Sequence, residues 1–334
     1  MRILLWTVGV LAVLYAGYWV VGSRMADRAL RAWFAERQAA GWTAAYESLA
    51  VRGFPSRFDV TVTGLDLRDP ATGLGWQAPQ VEFDALSYQP QHYIATWPRT
   101  QTLLTPAGDT GIASERMQAS LVFTPGPSFR LNRSQLVVAG LRVTPPGSDA
   151  FGAGVLNFAT GRAPGSEFGH RIGLEAAEVG LPDAVRTRLD PDRILPAAIE
   201  RLHVDATLDF DAPWDRHALE SGPIPQLTHL RIDDLTASWG DLGLVVTGEL
   251  AVGADGTPAG KLDIRAAHWR GLLDLLERAG LLPPGNRRMV ETALAFVSAG
   301  SGGGEDLAAT LSFTEGVMML GALPLGPAPK LRLP

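Results

Sequence analysis

The sequence predicts a mainly β protein with a few helices, an α+β chain in which an N-terminal transmembrane helix precedes an elongated, curled antiparallel β-sheet. Three observations predict it: an uncharged apolar run at Ile3–Gly22, period-two alternation recurring from Trp42 onwards, and Pro and Gly residues that break that alternation at short intervals. With 334 residues, 46% of them hydrophobic and 19% charged, the chain can bury a core of one large or two ordinary domains, which argues against disorder. A net charge of −6, with Lys261 and Lys330 as its lysines, opposes tracking along a phosphate backbone and excludes nucleic acid as an expected partner. The absence of cysteine removes disulfides, thiolate nucleophiles and cysteine-ligated metals.

The elements follow in order. Ile3–Gly22 carries 20 residues without a charge, and at about 1.5 Å per residue a helix of that length crosses a hydrocarbon core of roughly 30 Å. Trp6, Tyr15, Tyr18 and Trp19 supply interfacial rings. A cleaved signal peptide is the rival reading; its apolar region would be shorter, and Arg24 spoils the small-residue pattern before Ala26. An uncleaved inner-membrane anchor is therefore expected over residues 1–23, with a single pass. Long domains translocate largely regardless of flanking charge, which places the bulk of the chain in the periplasm. In residues 24–41, Ala26, Leu30, Trp33 and Phe34 share one helical face. Two readings stay open there: a membrane-proximal helix lying at the bilayer surface, or an ordinary helix packed on the first strands.

A first β-rich region is expected over 42–181. Within "RFDVTVTGLDL", Phe58, Val60 and Val62 occupy even positions and Leu65 and Leu67 odd ones, so the apolar face slips at Gly64. The same slip recurs at Gly140, after Leu136 and Val138, and at Asp233-Asp234. A one-residue slip is what a bulge or bend produces, letting a long strand curl its apolar face around; two-residue turns between separate strands would leave the same trace. Pro182–Leu202 reads as a helical connector of one or two short helices, broken at Pro191. A second β-rich region is expected over 203–334, with a hairpin turn at "ADG" and helices at 267–279 and 286–299. The apolar faces of those helices read as Leu272, Leu273 and Leu276, then Met289, Val290, Ala293, Leu294 and Val297.

Chemistry is hard to find. The six histidines never adopt a metalloprotease spacing, and "HVDATLDFD" puts His203, Asp205, Thr207, Asp209 and Asp211 on one strand face about 7 Å apart, too far for two neighbours to share a tight cation. "GSGGGED" lacks the strand-before, helix-after context of a phosphate cradle and reads as a connector. Trp76, Trp97, Trp214, Trp239 and Trp269 read as packing residues. No catalytic constellation and no cofactor site are expected.

The succession of "VRGFPSRFDVTVTGLDL", "WQAPQVEFDALSYQPQHYI", "LTASWGDLGLVVTGELAVGADGTPAGKLDIRAAHWRGLLDLL" and "FTEGVMMLGALPLGPAPKL" behind a single span resembles a bacterial domain-of-unknown-function family, number twenty-one twenty-five, over nearly the whole length. That family is uncharacterised, so the resemblance implies no activity. "ADGTPAGKLDI" followed by "GLLDLL" is similar to a segment of the AsmA-like envelope proteins. That second resemblance implies a membrane-anchored, periplasmic, β-rich fold linked to envelope integrity and, in long relatives, to lipid transport; this chain is too short to bridge two membranes alone.

Two functions are expected from these readings. In the first, the curled sheet presents a concave apolar groove, with Phe58, Val60, Val62, Leu136, Val138, Leu244 and Val246 as candidate lining, that binds phospholipid acyl chains. In the second, the protein is an envelope scaffold or interaction module whose partner is another envelope protein. Whether the inward positions are open or plugged by the chain's own helices decides between them.

Overall fold

In the computed structural model one continuous helix, α1 (Arg2–Ala39), takes up both the apolar run and the segment behind it. The structure describes residues 1–126, 129–215, 217–218, 223–282, 285, 287–300, 304–321 and 323–333. Strands account for 51% of the described residues and helices for 22%. The chain divides into two compact units, the first Met1–Phe123 with Leu136–Ala150, the second Thr124–Gln135 with Phe151–Pro334. Residues 182–202 fall inside the second unit.

Unit 1 is an antiparallel meander: β1 (Thr43–Ala45), β2 (Ser48–Arg52), β3 (Arg57–Arg68), β4 (Gly75–Leu86), β5 (Gln89–Thr96), β6 (Thr100–Thr105), β7 (Gly108–Ala113), β8 (Arg116–Phe123) and most of β9 (Leu131–Thr144). Its long strands change partners along their length, as a curling sheet requires. The first half of β3 pairs with β2 and its end with β1, while β4 gives Glu82–Leu86 to β5 and Gly75–Gln77 to β6. Gly64 and Gly140 both lie inside continuous strands with φ +60°, so the slips there are bends and not turns. At Gly64 the neighbour bends too: Thr63 pairs with Gln80 and Leu65 with Ala78, and the buried face of β4 moves from Val81 to Ala78 in step.

The core of unit 1 lies between α1 and this sheet. Phe34, 5% exposed, packs among Ala44, Leu49, Val60, Val62, Leu65, Ala78 and Val81, with Leu30 and Tyr46 around it. Of the two readings of residues 24–41, packing on the first strands is the one the structure has. Gln38 donates to the Ala44 carbonyl at 2.5 Å, and Arg31 to Leu49 and to the Tyr46 hydroxyl.

Unit 2 adds β10 (Phe151–Arg162), β11 (His170–Gly180), α2 (Asp183–Leu189), β12 (Ala198–Phe210), β13 (Leu227–Trp239), β14 (Leu242–Val252), β15 (Pro258–Ala267), α3 (Trp269–Arg278), α4 (Arg287–Gly300), β16 (Leu307–Thr314), β17 (Val317–Leu320) and β18 (Leu323–Pro327). β10 to β18 pair successively and antiparallel. β13 is continuous through Asp233-Asp234, where a register shift between Ile232 and Leu235 marks a bulge. The expected "ADG" hairpin joins β14 to β15, closed by Gly253 N–H to Thr257 O at 2.9 Å.

Several boundaries differ from expectation. Helix in the 182–202 stretch stops at Leu189, because the buried Asp190 carboxylate takes the amides of Ile194 and Leu195, and Ala198–Leu202 already pairs with β11. In α3 the buried face is Trp269 and Leu273, one turn apart, while Leu276 is 44% exposed. α4 turns Val290, Leu294 and Val297 onto that cluster and leaves Met289 outward. Asn286, at the expected start of α4, and residues 301–303 of the "GSGGGED" connector lie outside the described residues.

Candidate functional site

Two surfaces stand out, and the first is the N-terminal part of α1. Every side chain described from Ile3 to Leu14 is exposed, with Leu4 and Leu5 at 68% and Val13 at 72%. It is the one helix among the described residues long and apolar enough to cross a membrane. The lower part of the same apolar run behaves differently. Trp19 donates its indole N–H to the Arg57 carbonyl at 2.7 Å and stacks on Phe58, with ring centroids 5.9 Å apart. The Tyr18 hydroxyl donates to the Ser87 carbonyl at 2.8 Å, and Tyr15 and Ser87 share a hydroxyl–hydroxyl bond of 2.7 Å. Gly22 allows this approach, since a Cβ there would lie 2.8 Å from the Phe58 ring.

Helix and strand are matched in length. From Trp19 to Gln38 the helix rises about 28 Å at 1.5 Å per residue; from Arg57, which Trp19 bonds, to Leu67, the strand partner of the Ala44 that Gln38 bonds, β3 rises about 33 Å at 3.3 Å per residue. α1 therefore runs alongside β3 from end to end, and residues 3–14 project beyond the turns at Gly53–Ser56 and Ser87–Tyr88.

The second surface is the apolar face of unit 2. Because pairing is in register, its side chains form rows across the strands: Leu174, Val204, Leu235, Val246 and Ile264 in one, Ala176, Leu202, Ala237, Leu244 and Ala266 in the next. α3 packs against β14 and α4 against β16, sealing the β15–β16 end with Trp269, Leu273 and Leu307. Among the described residues no helix makes a comparable contact with β11, β12 or β13, and Leu174, Leu202, Val204 and Leu235 stay half-buried. The opposite face is wet and laced with cross-strand pairs. Arg171 meets Asp205, His203 meets Glu175 at 2.6 Å, and His229 meets Glu249 at 2.5 Å. The hydrogen bond from His203, followed by those from Arg201, holds the Glu175 carboxyl below its usual range; Arg171 does the same to Asp205.

The seven sequence-derived lining residues separate on this geometry. Val60 and Val62 lie in the closed core beneath α1, and Phe58 is covered by Trp19, so this part of the face is filled by the chain's own helix. Val138 is buried at 2% exposure and Leu136 is half-buried, both in unit 1. Leu244 and Val246 belong to the rows of unit 2. Sequence reasoning missed Leu174, Leu202, Val204 and Leu235 as partners of those two, although their alternation is visible; which strands pair is not local information.

A cavity of about 320 Å³ in unit 2 lies between the Asp190–Leu195 loop and α3. Several of its polar groups are already engaged. His268 uses Nδ1 on the Asp241 carbonyl and Nε2 on Glu305, Arg278 bonds the Leu189 carbonyl, and Asp190 caps its own loop. It is a structural joint. Among the described residues no group of three or more His, Asp or Glu side chains is placed to hold a metal ion.

A family model described as an uncharacterized protein conserved in bacteria (DUF2125) matches residues 19–329. No curated protein and no solved structure matches the chain.

Proposed function

The chain belongs to DUF2125, an uncharacterised bacterial family, and on that premise we propose that it is a membrane-anchored cell-envelope protein that holds phospholipid acyl chains on the apolar face of unit 2. One observation carries the reading: uncharged rows of side chains cross β11 to β15 in register, with Leu174, Leu202, Val204 and Leu235 half-buried and, among the described residues, helices packed only over the β14–β16 end. Soluble monomers rarely leave contiguous apolar patches larger than a few hundred Å² without a use for them. At about 25 cal/mol per Å², an acyl chain laid along one row gains several kcal/mol from burial, with no polar contact needed. The reading calls on no catalytic residue, cofactor or nucleic acid. It places Ile3–Gly22 in the inner membrane and both units in the periplasm; an alkaline phosphatase fused to the C-terminus should then be active, and an inactive fusion reverses the orientation.

Native mass spectrometry of the detergent-extracted protein tests the ligand. Phospholipid should co-purify and be lost in Leu174→Asp and Leu235→Asp while the circular dichroism spectrum is retained. Protein free of lipid in every mild detergent overturns it. The second reading is then a scaffold or protein-interaction module, favoured by the closure of the Val60–Val62 face beneath α1.

A further inference from the structure

We propose that the end of unit 1 formed by the turns Gly53–Ser56 and Ser87–Tyr88 is itself a membrane-inserted surface, seated in the bilayer that α1 crosses. This rests on the anchor reading and adds to it a second contact with the same lipid.

Length comes first. Ile3–Leu14, the part of α1 that projects free, is 12 residues, or about 18 Å of helix, against a hydrocarbon core of roughly 30 Å. The missing length is Tyr15–Gly22, the stretch docked on Ser87, Arg57 and Phe58. If the apolar run begins at one hydrocarbon boundary, Gly22 and Phe58 reach the other, and Ser87, level with Tyr15, lies about 10 Å inside it. The helix cannot span without carrying these turns into the lipid.

The turns are built for that medium. Between Gly53 and Phe58 and between Ala85 and Pro90 the sequence holds a single charge, Arg57, at the edge of the stretch. Phe54 and Tyr88 point outward, 58% and 62% exposed, at the level of the tyrosines and tryptophan of α1. Lipid offers no hydrogen bonds, so an immersed turn must satisfy its backbone internally. Here the Arg57 carbonyl takes the Trp19 indole, the Ser87 carbonyl the Tyr18 hydroxyl, the Pro55 carbonyl the Ser87 hydroxyl at 3.1 Å, the Ser56 carbonyl the Ser87 amide at 2.9 Å, and the Gly53 carbonyl the Arg57 amide at 2.9 Å. Arg24 and Arg28, exposed on α1 one to two turns above this end, fall at the level of anionic headgroups.

The lack of any cysteine makes the test direct. Full-length Phe54→Cys, Tyr88→Cys, Val10→Cys and Leu74→Cys variants, the last exposed in the β3–β4 turn at the opposite end of β3, each spin-labelled, are reconstituted in vesicles of phosphatidylethanolamine and phosphatidylglycerol. Accessibility to oxygen is compared with accessibility to a water-soluble nickel chelate. Labels at 10, 54 and 88 should favour oxygen, and the label at 74 the chelate. A lipid-facing label at 10 with chelate-accessible labels at 54 and 88 overturns the inserted end and leaves the anchor standing. A chelate-accessible label at 10 overturns the anchor and the inserted end together. Should Phe54→Cys not fold, Tyr88→Cys decides alone.

Discussion

Glu47 and Glu115 play the same part in two places. Each donates its amide to the carbonyl before a glycine, Thr63 and Ala139 respectively, and lays its side chain where that glycine would carry a Cβ. At Gly64 the added atom would lie 2.3 Å from Glu47 Cγ, at φ +60°. Gly64→Ala should therefore cost about 2 kcal/mol, the left-handed penalty plus displacement of Glu47, seen as a lower urea midpoint. A loss under about 0.5 kcal/mol would show that the bend does not need glycine. These bends were legible because a glycine and a slipped alternation coincide. The bend at Glu178, φ +54°, was not: Ala176 and Ala177 blur the apolar count, and no glycine marks it. A second residue-scale expectation concerns Asp84, paired with Asp59 across β3 and β4. Burial, and then the Asp59 charge, raise its carboxyl pKa. A raised value means that the folded state binds the proton more tightly, so stability falls as pH climbs from the ordinary 3.8 through the folded value. Asp84→Asn should stabilise at neutral pH by less than about 1 kcal/mol and give no gain below the ordinary carboxylate pKa, in thermal melts across pH.

At the scale of elements, α1 is held by Phe34 in its upper half and by aromatic hydrogen bonds in its lower half. Phe34→Ala should cost about 3 kcal/mol, because a large cavity opens between helix and sheet that the strands cannot collapse into. An unchanged denaturation midpoint would mean that the helix is peripheral to the core. The pattern Ala26, Leu30, Trp33, Phe34 announced a buried stripe without naming its partner; a lipid surface and a sheet ask for the same periodicity. In unit 2 the wet face gives the opposite pH sign to Asp84. Glu175 and Asp205 have lowered pKa values, so their contribution is present at neutral pH and lost as pH falls through the folded values. Arg171→Ala should shrink that acid sensitivity only slightly, in thermal melts across pH, because the exposed guanidinium is screened by solvent.

At the scale of the molecule, the sequence yielded the long apolar N-terminal helix, the β content and the helical hairpin, all readable from local periodicity. It could not yield which strands pair, nor that β9 is divided between units, with Leu131–Gln135 in one and Leu136–Thr144 in the other. Truncation separates the roles of α1. Removing residues 2–14 should leave a folded protein with an unchanged β-type spectrum that carbonate releases from membranes. Removing residues 2–39 strips Phe34 from Leu49, Val60 and Val62 and should give aggregates on gel filtration. Equal behaviour of the two truncations would show that the projecting and packed parts of the helix are not distinct.

The absence of any slack between α1 and the sheet sets how this protein can move. Ala39 leads through three residues into β1, and the helix is fastened along its whole docked length. A tethered domain on a leash samples a hemisphere of positions; with α1 in a bilayer, as proposed above, unit 1 would be carried on a spar, free to spin about it and to travel sideways, with its height fixed. Anything it meets must then present itself within about 36 Å of the level of Tyr15, the rise of the helix from there to Ala39.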